Sequence, residues 1–445
     1  VGAPQSPRTP PSGSRATSRR RFLGGAAAAG VGIAAGVGVG AGYGIGSARA
    51  AEQAAPQVDA ATSKADAVVP FYGPRQAGIT TPQQERLMFA ALDVTTTDSD
   101  ELQRMLGRWA AMAARLTAGK QVSDSPVRDQ QPPFDTGESM DLGPHSLTIT
   151  VGFGPSLFDD RFGLADRRPA ELAPFGTMPG DAVMKPALSD GDLCIQACAD
   201  DPQVVFHAIR NMVRAARGTA VLKWSQLGFG RASATGAGQS TPRNLMGFKD
   251  GTRNIHADDT AALDAQVWVP GRAGSGQSAT AGAAWMAGGS YLVARKIRME
   301  IESWDTDPLA DQERIFGRNK ATGAPLTGGD EFAAVDYAAT GPAGPVIDVN
   351  AHIRLASPEQ NGGIRLLRRG YNYTDGQDPD TGKLAAGLFF IAFQRDPQAQ
   401  FKVLQTRLGR SDLLNEYIAH IGGGLWACPP GVSGPGDWFG KALFR

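Results

Sequence analysis

The chain has 445 residues, of which 42% are hydrophobic and 20% charged, enough for two ordinary domains with cores of their own. Lys and Arg together number 44, as do Asp and Glu; that balance gives no global field toward an anionic polymer and argues against a nucleic-acid partner. The three cysteines, Cys194, Cys198 and Cys428, are too few and too scattered for a disulfide framework or a zinc site.

In chain order, Ser18-Arg19-Arg20-Arg21-Phe22-Leu23 precedes an uncharged stretch from Gly24 to Gly46, and Ala48-Arg49-Ala50 offers small residues for cleavage after Ala50. Residues 1–50 are expected to be an export signal of the twin-arginine type. Glycine and alanine make the stretch a poor membrane span, so an uncleaved signal would give only weak membrane association. Such a signal implies an extracellular or cell-envelope destination, periplasmic if there is an outer membrane. The route carries folded proteins, which favours a chain that loads a cofactor before export. Residues 51–67 are rich in Ala, Gln and Ser and are expected to be a disordered tether.

The next block, 68–240, reads as one domain. Arg86 to Val94 alternates as a strand, and Leu102, Met105, Leu106, Trp109, Met112 and Leu116 recur at helical spacing. His145 to Phe153 alternates as a half-buried strand, Asp192 to Ala199 is a strand, Asp201-Pro202 opens a helix to about Arg217, and Ala220 to Gly228 returns as a strand. The order is β-α-β-β-α-β, the unit of a ferredoxin-like antiparallel sheet. Residues 241–288 form a Gly/Ala/Ser-rich turn segment and linker. Block 289–445 repeats the plan: strand Ser290 to Glu302, a helix opened by Asp307-Pro308, strands Ile364 to Tyr373 and Gly387 to Arg395, a helix opened by Asp396-Pro397 and running to Leu408, and a short closing strand Gly424 to Cys428. The long insertions 121–143, 158–185 and 322–348 are expected to be functional, because unstructured loops of that length are otherwise uncommon.

Three features of the second half carry chemistry: the turn Gly247-Phe248-Lys249-Asp250-Gly251, a His352 set among apolar residues in Ala351-His352-Ile353-Arg354-Leu355, and the pair Arg368-Arg369. A carboxylate can shuttle a proton, an imidazole can ligate iron, and a guanidinium is a fixed cation with a rigid fork. Five histidines occur. By context His207 suits helix packing or a surface, His420 a helix end before Gly422-Gly423-Gly424, His145 a strand start and His256 a polar turn. That context favours His352 as a ligand without excluding the others. Adjacent strand residues face opposite ways, so only one of Arg368 and Arg369 can enter a given pocket; the other is expected to be solvated or to pair with an anionic ligand group.

The Gly-x-x-Asp-Gly turn, the later histidine and the Leu367-Arg368-Arg369-Gly370-Tyr371 run resemble the dye-decolorizing peroxidase family, in its exported bacterial branch. The resemblance implies an α+β fold of two ferredoxin-like domains packed as a dimeric α+β barrel. It implies haem b, one per chain, with iron on His352, and catalytic Asp250 and Arg368. Gly251, Thr252, Arg253, Ser357, Pro358 and Arg368 would border the cofactor, Arg253 beside a propionate, and Leu388 to Ile391 would be a haem-packing strand. The implied partners are hydrogen peroxide, reduced through a ferryl intermediate, and a small-molecule or protein electron donor such as a dye or phenolic. Two other roles use the same pocket: deferrochelatase-like release of haem iron, and non-catalytic haem carriage.

Overall fold

Eight strands close into one antiparallel barrel, built from two sheets with the same strand order. The computed structural model describes residues 64–271, 281–379 and 381–445; the expected signal, 1–50, and most of the expected tether lie outside the described residues. At the tether's end, Ala65 and Ala67 accept backbone hydrogen bonds from His145 and Ser146.

The first half supplies β1 (Arg86–Val94), α1 (Ser99–Leu116), β2 (Thr148–Phe153), β3 (Leu193–Ala199), α2 (Pro202–Ala215) and β4 (Ala220–Arg231). The second supplies β5 (Ser290–Met299), α3 (Leu309–Phe316), α4 (His352–Leu355), β6 (Leu367–Arg368), β7 (Tyr371–Gln377), β8 (Leu384–Gln394), α5 (Phe401–Ser411) and β9 (Ile418–Cys428). Within the first half the sheet runs β2-β3-β1-β4, and within the second β9-β5-β8-β7. Both are ferredoxin-like, as expected. The β4–β7 and β9–β2 pairings join them into a ring, and β6 pairs with β8 beside it.

The second seam is thin, since β9 meets β2 at the single pair Ala427 and Phe153. Gln76 reinforces it: its amide accepts from Val151 N at 2.8 Å and donates to Val151 O and Pro429 O at 2.9 Å. β2 is buried on both faces, Ile149, Val151 and Phe153 in the outer core and Thr148 and Thr150 bonded to Gln84 and Ala77, where alternation alone predicts a half-buried strand.

Strand periodicity sorts the cores. Leu87, Phe89 and Ala91 of β1 point into the barrel with Cys194, Cys198, Phe389, Ile391, Trp426 and Cys428. There, rings from four strands, Phe89, Trp224, Phe389 and Trp426, lie with centroids 5.3 to 6.2 Å apart. The cysteines are free and buried. Ala90 and Leu92 face outward against α1 and α2. Asp98 caps α1 through Asp100 N and Glu101 N, and Trp109 bonds Met212 O of α2 at 2.9 Å. Each such buried side chain stabilises the fold by roughly 1.5–3 kcal/mol.

Several boundaries differ from expectation. The strand expected over Ile364 to Tyr373 splits into β6 and β7 at Arg369-Gly370, and β9 begins at Ile418 rather than Gly424. Asp201 caps α2 as expected. Pro308 rather than Asp307 precedes α3, with no side-chain cap. Asp396 accepts from Gln398 N and Ala399 N at 2.9 Å, closing a turn that delays α5 to Phe401.

Candidate active site

The outward residues of the second sheet form the floor of a cavity. Ile297 and Met299 of β5, Leu388 and Phe390 of β8, and Ile418 and His420 of β9 are alternate residues on adjacent strands, and all line it. The run Leu388 to Ile391 therefore serves both sides, with Phe389 and Ile391 in the barrel core. Phe248, Phe316, Ile353 and Leu408 add apolar walls.

One wall is the turn around Asp250. Asn244 Oδ1 accepts from Met246 N at 3.1 Å and Phe248 N at 3.3 Å, and Asp250 N donates to Pro242 O at 2.9 Å. Gly251 adopts φ +105°, and a Cβ there would stand 3.0 Å from Ala234 N and Ser233 Cα, so only glycine fits without moving backbone. Arg368 Nη1 donates to Asp250 Oδ1 at 2.6 Å. Its backbone is clamped by Asn254, whose amide accepts from Arg368 N and donates to Arg368 O, both at 2.8 Å. The acid and the cation are thus held by rigid backbone rather than by each other alone.

His352, the first residue of α4, supplies the second feature. Its Nδ1 lies 2.6 Å from Asp412 Oδ2, while Asp412 Oδ1 accepts from Leu414 N at 2.9 Å. An ionised Asp412 accepts only, so Nδ1 carries the proton and Nε2 keeps its lone pair. The ring is 32% exposed, which leaves Nε2 room for a ligand. Burial pulls the imidazolium down, but the charge and hydrogen bond of Asp412, aided by Asp250, outweigh it and hold His352 above its ordinary range.

The rim is charged. Arg318 is buried, donating to Gly323 O at 2.6 Å and Glu331 O at 2.9 Å; burial lowers its pKa. Lys249 and Thr252 both reach Glu331, and Arg253 pairs with Glu359 at 2.6 Å. A free imidazole nitrogen, apolar walls and a charged rim fit an amphipathic iron macrocycle such as haem.

Two family models match the chain: Dyp-type peroxidase, N-terminal, over residues 76–230, and Dyp-type peroxidase, C-terminal, over 241–433. The chain belongs to the Dyp-type peroxidase family. It is 40% identical over 380 residues to a protein of Escherichia coli strain K12 named deferrochelatase, covering 84% of this chain and 87% of that one. Among solved structures it is similar to DtpA from Streptomyces lividans in an X-ray generated oxyferrous/water mixed complex, with 39% identity, TM-score 0.77, and coverage of 86% of this chain and 99% of that chain. A DyP-type peroxidase from Cellulomonas bogoriensis is 37% identical with TM-score 0.74, over 86% of this chain and 99% of that one.

In this Dyp-type peroxidase, Asp250, Gly251, Thr252, Arg253, His352, Ser357, Pro358 and Arg368 all line the one cavity. Two sequence expectations need correction. Arg369 is neither solvated nor in the cavity: it is fully buried on the opposite side, bonded to Thr81 O, Gln84 Oε1 and Thr235 Oγ1. His420 lies not at a helix end but buried within β9, and burial with the nearby Arg295 charge lowers its pKa to about 4. His207 is a buried helix residue whose Nδ1 meets Glu138 Oε2 at 2.9 Å. Sequence reasoning missed Asp412, Asn254 and Arg318. Only Asn254 left a signal, as an amide ending the Asp250 turn; Asp412 stands 60 positions from His352 and resembles an ordinary cap.

Proposed function

We propose that the chain is a haem b peroxidase that reduces hydrogen peroxide and oxidises an organic dye, a phenolic or another small-molecule or protein donor. The observation that carries this reading is one cavity holding both a carboxylate-oriented imidazole, His352, and a clamped acid–cation pair, Asp250 and Arg368. Haem b, when bound, would supply the electrons that break the O–O bond, with the donor restoring them. His352 Nε2 would hold the iron. Asp412 keeps the proton on Nδ1, fixing the ring and raising its basicity. Thr252, Arg253, Ser357 and Pro358, which line the cavity, would border the macrocycle, with Gly251 allowing the close approach of the Asp250 turn.

Asp250 takes the proton from the nearer peroxide oxygen and returns it to the departing one, so water leaves rather than hydroxide. Arg368 stabilises the negative charge that builds on the departing oxygen, at no reorganisation cost because Asn254 already holds its backbone. The apolar walls exclude bulk water, which strengthens both effects.

A second reading, release of iron from haem, draws on the name of the Escherichia coli relative and uses the same cavity. Incubation of the haem-loaded protein with peroxide and a phenolic donor distinguishes the readings. Peroxidase action gives oxidised donor with haem intact, whereas iron release gives free protoporphyrin; a non-catalytic carrier gives only slow bleaching. The arginine-rich leader at residues 19–21 further supports export by the twin-arginine route, which fractionation of cells expressing wild-type and Arg19→Lys/Arg20→Lys chains tests.

A further inference from the structure

The cavity has a further polar end, where β5 and β9 contribute Arg295 and His420 and α5 contributes Phe401 and Gln405. Arg295 is 5% exposed and His420 6% exposed. Arg295 Nε and His420 Nδ1 are buried without a hydrogen-bond partner. Arg295 Nη1 forms a buried ion pair with Asp181 Oδ1 at 3.3 Å and reaches Met184 Sδ at 3.5 Å, and its guanidinium sits 5.5 Å from the Phe401 ring centroid, leaving Nε unmet. His420 Nε2 meets only Gln405 Nε2, at 3.4 Å. The long insertion 158–185 closes this end, with Gly180 against Gln405 and His420. An unmet buried donor costs about as much as a lost hydrogen bond, so two of them in a cavity wall favour an acceptor beside them.

We propose that Arg295 and His420 form a carboxylate-binding subsite at the closed end of the cavity. A guanidinium offers a planar pair of donors matching a carboxylate, and His420, neutral at ordinary pH, can add a third from its ring N–H. Phe401 and Leu404 beside it suit the apolar body attached to that carboxylate. Two sources share this chemistry: a porphyrin propionate, or a free organic acid such as an aromatic carboxylate donor. The proposal rests on the haem-cavity reading above.

Apo protein is titrated with haemin and with haemin dimethyl ester, following absorption and quenching of tryptophan fluorescence, for wild type, Arg295→Gln and His420→Phe. The haem-loaded proteins are then titrated with benzoate, following the Soret band and Tm. If the propionate is the ligand, Arg295→Gln weakens haemin by about ten-fold or more while leaving the ester unchanged, and His420→Phe has a smaller effect in the same direction. If a free acid is the ligand, the haemin-to-ester ratio is the same in all three proteins, and the wild-type benzoate response is lost in both variants. Equal ratios together with equal or absent benzoate responses overturn the subsite. Should Arg295→Gln fail to fold, His420→Phe carries the same comparison, and a wild type that neither responds to benzoate nor separates haemin from its ester overturns the subsite by itself. Failure of wild type to bind either porphyrin would instead reject the haem cavity.

Discussion

Asp412 ties His352 to the backbone of Leu414: one carboxylate oxygen accepts the hydrogen bond from the imidazole Nδ1–H at 2.6 Å and the other caps the turn Leu413–Glu416 through Leu414 N at 2.9 Å. Asp412→Ala removes both. The expected outcome is haem affinity lower by about 10–100-fold, with a higher iron reduction potential because the ligand becomes less basic. Haemin titration and spectroelectrochemistry check the two effects. Asp412→Asn, which can still cap the turn, should restore stability but not the potential.

Arg368 and Arg369 are adjacent yet should fail in opposite ways. Arg368→Leu should fold and bind haem but slow the reaction with peroxide by about 10²-fold or more, because the preorganised cation is gone. Arg369→Leu leaves Thr81 O and Gln84 Oε1 without their donor in the interior and should cost about 2–4 kcal/mol of stability. Urea denaturation and stopped-flow absorption, run on both variants, separate the two losses.

Gly251→Ala tests the backbone that aims Asp250. A methyl group at φ +105° meets Ser233 and Ala234 at 3.0 Å, so the turn must shift, at a cost of about 1–3 kcal/mol. Haem binding should persist while the peroxide rate falls, as in Asp250→Ala. A variant with wild-type kinetics would show that the turn does not position the acid.

The acid range reports on the insertion 121–143. Burial alone would raise the Glu138 carboxyl, but hydrogen bonds from Thr136, His207 and Arg210 dominate and lower it from 4.5 to about 2. A carboxyl depressed in the folded state contributes stability above its ordinary range and loses it as pH falls. Glu138→Gln should therefore be less stable than wild type at pH 7, with the gap closing between pH 4.5 and about 2. Denaturation curves at pH 7 and pH 3 check this, with limited proteolysis reporting release of the insertion from α2.

Much of the barrel was legible in the sequence because period-two alternation and Asp caps are local signals. The burial of β2 was not, since its two faces are covered by the outer core and by Ala77 and Gln84, far away in the chain. His420 was misread because three consecutive glycines resemble a helix stop. They are required instead by backbone crowding, a Cβ on Gly422 falling 2.4 Å from Leu188 O and one on Gly423 2.1 Å from Ala294 O. In the site, motif residues were legible because a turn and an arginine pair are contiguous. Asp412, Arg318 and Arg295 were not, because each meets the cavity only through tertiary packing.

The most direct measurement is haemin reconstitution of wild type and His352→Ala, with and without added imidazole, followed by absorption and electron paramagnetic resonance. The wild type should take up one haem with a nitrogen-ligated ferric signal, and His352→Ala should lose that signal and regain it when imidazole fills the space left by the side chain. A His352→Ala protein that binds haemin with the wild-type affinity and spectrum would contradict the account.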